Sequence, residues 1–512
     1  QFYTDVPGRI PGLEVYGVRV RGFQDGLRFG SWAGDAGYDG ILVEACETFG
    51  NSANGVTIYA EHLYTADQYF TPHRNVVLRG VRSYRNPGRS NENSGFGILA
   101  SGTVGGVIED CATWENGASG GRSDAGPFGI MVWASRDVTV RRCYSHNNKS
   151  ATVDGGGIDL DGDCINCTIE HCYTHDNMAA GYFLAAFRGS GEYSGNVLRY
   201  SVSENDGRKN SPRAGISVWR VSALGSHINN RIYGNTVFLS RESSAVAAAL
   251  DLRSRTTNLQ VMNNIFVVRG GARLLDSVAD HIGLRLDGNA YHVEDGQHIY
   301  RFAGTDHSTL AALQEATGLE RSGVEEAPLL LAAGAGGAAP GGDIQAVTAY
   351  RLQPGSRMPT AGLDLRAQGL GLPAQDYYGN AIPSSGGFRA IGAVTVTEAA
   401  PAPPEEPLPL GNPKVHTLTE SFSGGALDTS KWTTSVSKRG SLAVQEQLEL
   451  NLRSGGTGWV TCNSVGEYAL TGSHVAVEAK QVGAQAGLYT AFSLRVGTSD
   501  DNLIAWAHEP TS

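Results

Sequence analysis

The chain of 512 residues lacks several things that would have set its class. No run of 18 purely apolar residues occurs, so no membrane-spanning helix is expected. Charge is scarce, at 18% of residues, and has no positive excess: 40 basic against 51 acidic side chains give −11. That balance argues against nucleic acid as the main partner. Proline is ordinary at 19, and no Gly-X-Y period exists, so collagen is excluded. The seven cysteines include one CxxC, Cys164 and Cys167, without a second pair at metal-site spacing, so zinc is a poor reading. No secretory signal stands at Gln1, and the chain reads as a mature form or a fragment.

Glycine is abundant, at 68 residues. With 41% hydrophobic content the chain folds, so the glycines must serve frequent turns. One phrase recurs through the first half: an alternating apolar run, then a polar turn ending in Asn. It ends at Asn51, Asn86, Asn116, Asn148, Asn177 and Asn205. A second phrase, Gly then an alternating strand, interleaves as GVTIY (55–59), GILAS (97–101), GIMVW (129–133), GIDLD (157–161), GYFLA (181–185) and GISVW (215–219). A period near 30 with short strands predicts an all-β, right-handed parallel β-helix, because one coil cannot bury its apolar face alone and stacked coils can. Asn suits its tight turns, since it tolerates left-handed backbone angles and can bond its neighbours in the stack. Cys46, Cys111, Cys143 and Cys172 fall at one repeated position and read as free core residues.

The β-helix is expected over 1–395, with an irregular cap from about 296 that closes its open end. The cap contains one short helix in 307–320, with Leu310, Leu313 and Ala316 on one face. Residues 396–413 are Pro-rich and read as an extended linker. Residues 414–512, with alternating strands at 442–452, 474–482 and 489–496, predict an antiparallel β-sandwich that is incomplete.

Strand alternation sorts the faces. With Val56/Ile58, Ile130/Val132 and their equivalents inward, the outward positions form two columns. One runs Thr57, Leu99, Met131, Asp159, Phe183, Ser217; the other runs Tyr59, Ser101, Trp133, Asp161, Ala185, Trp219. Tyr59, Trp133, Phe183 and Trp219 are thus expected to stand exposed as platforms for sugar rings. An insertion such as 61–74 or 117–127 lying over them would make them packing instead.

Asp159 and Asp161, about 6.5–7 Å apart at Cα, suit the acid/base pair of an inverting glycosidase, whose carboxyls stand roughly 6.5–9.5 Å apart. Like-charge repulsion would raise one of the two pKa values. Asp154 and Asp163 flank them, so the four aspartates are also a candidate calcium set, although Asp-Gly is ordinary turn chemistry. His146 and His175 recur at one place in successive coils, as substrate and catalytic candidates or as a plain turn ladder. Asp206, Arg208 and Lys209 lie on a further turn. Arg208 and Lys209, with calcium, would serve a polysaccharide lyase; a solvated charged turn is the plain alternative.

The segment 127–219, with PFGIMVW, DGGGIDLDGDC and AGISVW, resembles secreted right-handed parallel β-helix proteins of the pectate-lyase-like and polygalacturonase-like group. The phrase DGGGFDxDGG of that group departs here at its last glycine, giving Asp163. The polygalacturonase pattern of an adjacent Asp pair with a downstream RIK is missing. SFSGGALDTSKW (421–432) resembles the start of concanavalin-like jelly-roll domains, often carbohydrate-binding. The resemblance implies a secreted or surface-located protein acting on or holding polysaccharide, as monomer or homotrimer. Hydrolase, lyase and non-catalytic adhesin or virion receptor-binding protein all remain open. Either no cofactor or calcium is expected.

Overall fold

The computed structural model describes residues 1–397 apart from 34–35, 61–71, 188–191, 221–226, 242–245 and 279–280. Beyond 397 it describes only the strand backbones 432–436, 440–444, 448–452, 460–464, 490–495 and 503–508. The chain divides into two compact units, Gln1–Pro401 and Ala402–Ser512. The expected linker lies outside the described residues except for 396 and 397.

Each coil of the first unit contributes one short strand to each of three sheets. Phe128–Trp133, Arg136–Arg141 and Tyr144–His146 make one coil; Gly156–Leu160, Thr168–Glu170 and Tyr173–His175 lie in the next. Sheet 1 has 12 strands, sheet 2 has 10 and sheet 3 has 11, each pairing with its equivalents in the neighbouring coils. Pairing is parallel throughout, except where Tyr300–Phe302 meets Thr305–His307 at the end of sheet 1. The expected inward residues of sheet 1, from Val56 and Ile58 to Ile216 and Val218, are all 2% exposed or less. Burying this branched apolar column is what makes one coil depend on the next.

The stacked asparagines bond their neighbours as expected, but of the six only Asn205 is itself left-handed, at φ 56°. For the other five the left-handed residue is the one before: Gly50, Arg85, Glu115, Asn147 and Asp176. Asn51, Asn86, Asn116, Asn148 and Asn177 are buried, and each accepts through Oδ1 from the preceding coil where one exists: Asn86 Oδ1 from Asn51, Asn116 Oδ1 from Asn86. The series ends in Asp206, which accepts from Asn177 N and Nδ2 at 2.9 and 2.8 Å.

A second column occupies the turn from sheet 2 to sheet 3. Cys143 N donates to Cys172 Sγ, Cys172 N to Ser201 Oγ, and Ser201 N to Asn235 Oδ1. Asn264 and Asn289 follow, and buried Glu320 closes the series. The expected free core cysteines are free and buried, as are Cys164 and Cys167. The glycine at 129 is set by contact rather than turn angle. A Cβ there would fall 2.1 Å from Ser145 Oγ and 2.5 Å from Thr113 Oγ1.

The helix spans Leu310–Thr317, capped by Thr309 and by Gly318 at φ 71°; Leu310 and Leu313 are buried but Ala316 is exposed. Residues 300–325 lie at the end of the coils, with Tyr300, Leu310 and Leu313 on the core, but the rest of the expected cap runs along the side. Leu365, Leu370, Ile382 and Phe388 pack on Tyr200, Tyr233 and Met262 where sheet 2 ends. Ile344, Tyr350, Leu352 and Ile391 pack on Tyr144, Tyr173, Val202, Ile265 and Val267 of sheet 3. Outward residues are apolar there, so the sheet needs a cover. Buried Glu204 fastens this cover by accepting from Gly336 N, Gly337 N, Tyr173 Oη and Tyr350 Oη.

In the second unit 432–436 pairs with 460–464, 440–444 with 448–452, and 490–495 with 503–508, all antiparallel. The run expected as one strand at 442–452 is therefore a hairpin in part, and 474–482 lies outside the described residues.

Candidate functional site

The outer face of sheet 1 carries both expected columns in register. Asp159 lies beside Met131 on one side and Phe183 on the other. Past Ser217 the first column continues to Asp251, Asp276 and Arg301, and before Thr57 it begins at Arg28.

This face is more covered than expected. Tyr59 is buried, with Arg28 4.4 Å above its ring and Trp32 at 4.6 Å. Phe183 is buried between Phe128 at 5.6 Å and Trp219 at 5.9 Å. Its faces are taken up by other rings and offer no platform to a sugar. Trp133 and Trp219 remain half-buried at the rim of a cluster containing Phe96, Phe128, Met131 and Phe183.

Asp159 lies within this apolar surround at 1% exposure, and its Oδ1 has no hydrogen-bond partner. Burial, then the charges of Asp161 and Asp154, push its pKa well above the usual carboxylate range. Asp161 and Asp154 are half-buried. Burial raises Asp161 to about 7 against the N–H groups of Gly162 and Phe187, which lower it. Burial raises Asp154 to about 8, opposed by the Gly126 N–H at 2.7 Å and reinforced by Asp161. Three carboxyls thus share one coil, and the two that solvent reaches are Asp154 and Asp161.

The calcium set is not assembled. Among the described residues no group of three or more His, Cys, Asp or Glu side chains could hold a metal ion. Asp163 is buried in a left-handed turn at φ 61°, filling the place where the resembled phrase has glycine.

The remaining candidates sit on sheet 3 and its turns. His146 and His175 stack at 4.8 Å and continue a ladder of Tyr84 and Trp114. Burial lowers His146 to about 4, so it is neutral, with Nδ1 bonded to Asn147. His175 is 4% exposed, with Nδ1 2.9 Å from Asp176 and Nε2 2.6 Å from Tyr144 Oη. The Tyr144 hydroxyl also accepts from Ala339 N of the cover, so this chain of bonds holds the cover in place. Arg208 is paired with Asp176 at 2.6 Å, and Lys209 is exposed. Asp206 is buried as the ladder terminus, where a substrate has no access.

Sequence reasoning missed a pattern along the first column. Buried polar atoms without a hydrogen-bond partner occur at His73 Nδ1, Tyr200 Oη, Arg213 Nε and Gln260 Oε1 elsewhere in the solenoid, and six more at Arg28 Nε, Thr57 Oγ1, Asp159 Oδ1, Ser217 Oγ, Asp276 Oδ1 and Arg301 Nε. These six lie in that one column. The available signal was the continuation of the strand phrase as ALDL (249–252) and LLDS (274–277).

Three stacked parallel sheets with continuous internal ladders define a parallel β-helix. In agreement, residues 14–237 match the family model described as right handed beta helix region. No curated protein matches the chain. Among solved structures, an alginate lyase in complex with G6 is similar at 11% identity, covering 63% of this chain and 90% of that one, with a TM-score of 0.17. A likeness that slight carries no functional argument.

Proposed function

We propose that this protein is a polysaccharide-active enzyme of the hydrolase type that works on the outer face of sheet 1. The observation that carries the reading is the group Asp154, Asp159 and Asp161. Asp159 has an unpartnered buried oxygen, and the other two have proton affinities near neutrality. Such groups can give and take protons at working pH. The reachable pair, Asp161 and Asp154, takes the acid/base roles first drawn for Asp159 and Asp161. Burial keeps their proton affinity high, with the charge of Asp163 adding to it at Asp161 and that of Asp161 adding to it at Asp154. Trp133 and Trp219 flank the group as sugar contacts.

A lyase reading has less support. Its calcium set does not fit, and Arg208 is held by Asp176. A glycan panel incubated with wild type, Asp161→Asn and Asp154→Asn tests the proposal. New reducing ends that vanish in Asp161→Asn support it. Products absorbing as unsaturated sugars would favour the lyase, and glycan retention without product the adhesin.

A further inference from the structure

The charge on this face names a substrate class, an inference that rests on the polysaccharide reading above. From Thr57 and Tyr59 to Ser217 and Trp219, six successive coils present two outward columns in register. These positions include Asp159 and Asp161 and no Lys or Arg. Two of the arginines near them are matched, Arg28 with Asp25 at 3.5 Å and Arg253 with Asp251 at 2.9 Å, while Arg220 ends the strand beyond Trp219. Asp154 adds a third carboxyl at the edge. Within the same stretch, Thr57 Oγ1, Asp159 Oδ1 and Ser217 Oγ are buried and unpartnered.

Above about pH 8, where Asp161 and Asp154 are ionised, an acid-bearing glycan would bring its carboxylates against them, with no Lys or Arg among the column positions to receive them. Like-charge juxtaposition of that kind disfavours binding. A neutral sugar instead offers hydroxyls that bond the half-buried Asp154 and Asp161, the two carboxyls that solvent reaches, without bringing a charge of its own. Its apolar ring faces suit Trp133 and Trp219.

We infer that the sheet 1 face takes an uncharged, hydroxyl-rich glycan and rejects polyuronates. Matched pairs test this: polymannuronate and polygalacturonate against the same polymers after chemical reduction of their carboxyl groups, together with a panel of neutral glycans. Retention is measured by affinity electrophoresis above pH 8, with folding of each variant checked by thermal melting. Wild type is expected to retain a neutral polymer at least about tenfold more strongly than its acidic parent. Asp161→Asn should narrow that gap by admitting the acidic form. Equal or stronger retention of a polyuronate, lost in Trp133→Ala, overturns the inference and leaves the polysaccharide reading standing. Retention of no glycan, acidic or neutral, overturns both.

Discussion

Asn177 gives both its backbone and its side-chain N–H to a single oxygen, Oδ1 of Asp206, at 2.9 and 2.8 Å. The other oxygen accepts from the Thr174 and Ser203 hydroxyls at 2.7 Å each. An asparagine ladder hands donors forward at every step, so its last member needs acceptors only, and a carboxyl supplies them. Asp206→Ala would strand buried donors at about 1–3 kcal/mol each, so a loss of about 3 kcal/mol or more is expected in denaturant titration. Asp206→Asn should be far milder, because an amide there can donate to the Ser203 hydroxyl, as Asn148 Nδ2 donates to Ser145 Oγ two coils earlier. A milder Ala than Asn would refute the ladder account.

Glu109 makes the opposite electrostatic case. Burial works to raise its pKa, but bonds from Arg79 and Arg141 and the nearby Arg142 outweigh that and leave it at about 2. A depressed folded pKa contributes stability above the unfolded value, lost as pH falls through the folded one. The shift from 4.5 to about 2 corresponds to about 3 kcal/mol. Melting temperatures of Glu109→Gln should lie below wild type at pH 6 and converge with it near pH 2.

Asp154 and Asp161 have raised folded pKa values, so the sign reverses. Their protonated forms favour the fold, and stability should decline as pH rises from about 4 through about 7 for Asp161 and about 8 for Asp154. Asp161→Asn should flatten the part of that decline below pH 7, a difference of a few kcal/mol at most. Parallel pH profiles of mutant and wild type would show instead that Asp161 titrates as in the unfolded chain.

Trp133→Ala and Trp219→Ala are expected to weaken glycan retention about tenfold or more, since each removes a half-buried ring at the site. Trp114→Ala, on sheet 3, should leave retention unchanged. Trp114 lies 4.2 Å from Tyr84 with rings 7° from parallel, so its face is already occupied. Loss of retention in Trp114→Ala alone would move the binding face to sheet 3.

Glu204 holds the cover over sheet 3 through three donors of the cover, Gly336 N, Gly337 N and Tyr350 Oη. Glu204→Ala should speed proteolytic nicking within 327–350 while the coils stay protected, as read by mass spectrometry of the fragments. Unchanged nicking would place the hold on the cover in apolar packing alone.

The periodic parts of this molecule were legible from the chain. Asn51 to Asn177 and Cys46 to Cys172 repeat because stacked coils place like residues in like surroundings, and alternation alone sorted Ile130 inward from Met131 outward. Alternation does not say what lies over an outward residue. Tyr59 and Phe183 therefore read as exposed, and Asp159 as open to solvent. Asp206 looked like a surface turn residue because its four donors come from two coils that no local window joins. The placement of 327–395 along the side of the coils rests on contacts such as Ala339 with Tyr144, 195 positions apart.

The turn column that passes from Cys46, Cys111, Cys143 and Cys172 to Ser201, Asn235, Asn264 and Asn289 gives the solenoid a chemical polarity. All the thiols of this column lie in the earlier coils, sealed in the interior. A repeat stack can fray from one end without melting as a whole. Brief alkylation during mild denaturation then works as a clock. Early labelling at Cys46, ahead of Cys172, would report unzipping from the amino-terminal end, and simultaneous labelling would report a single cooperative block.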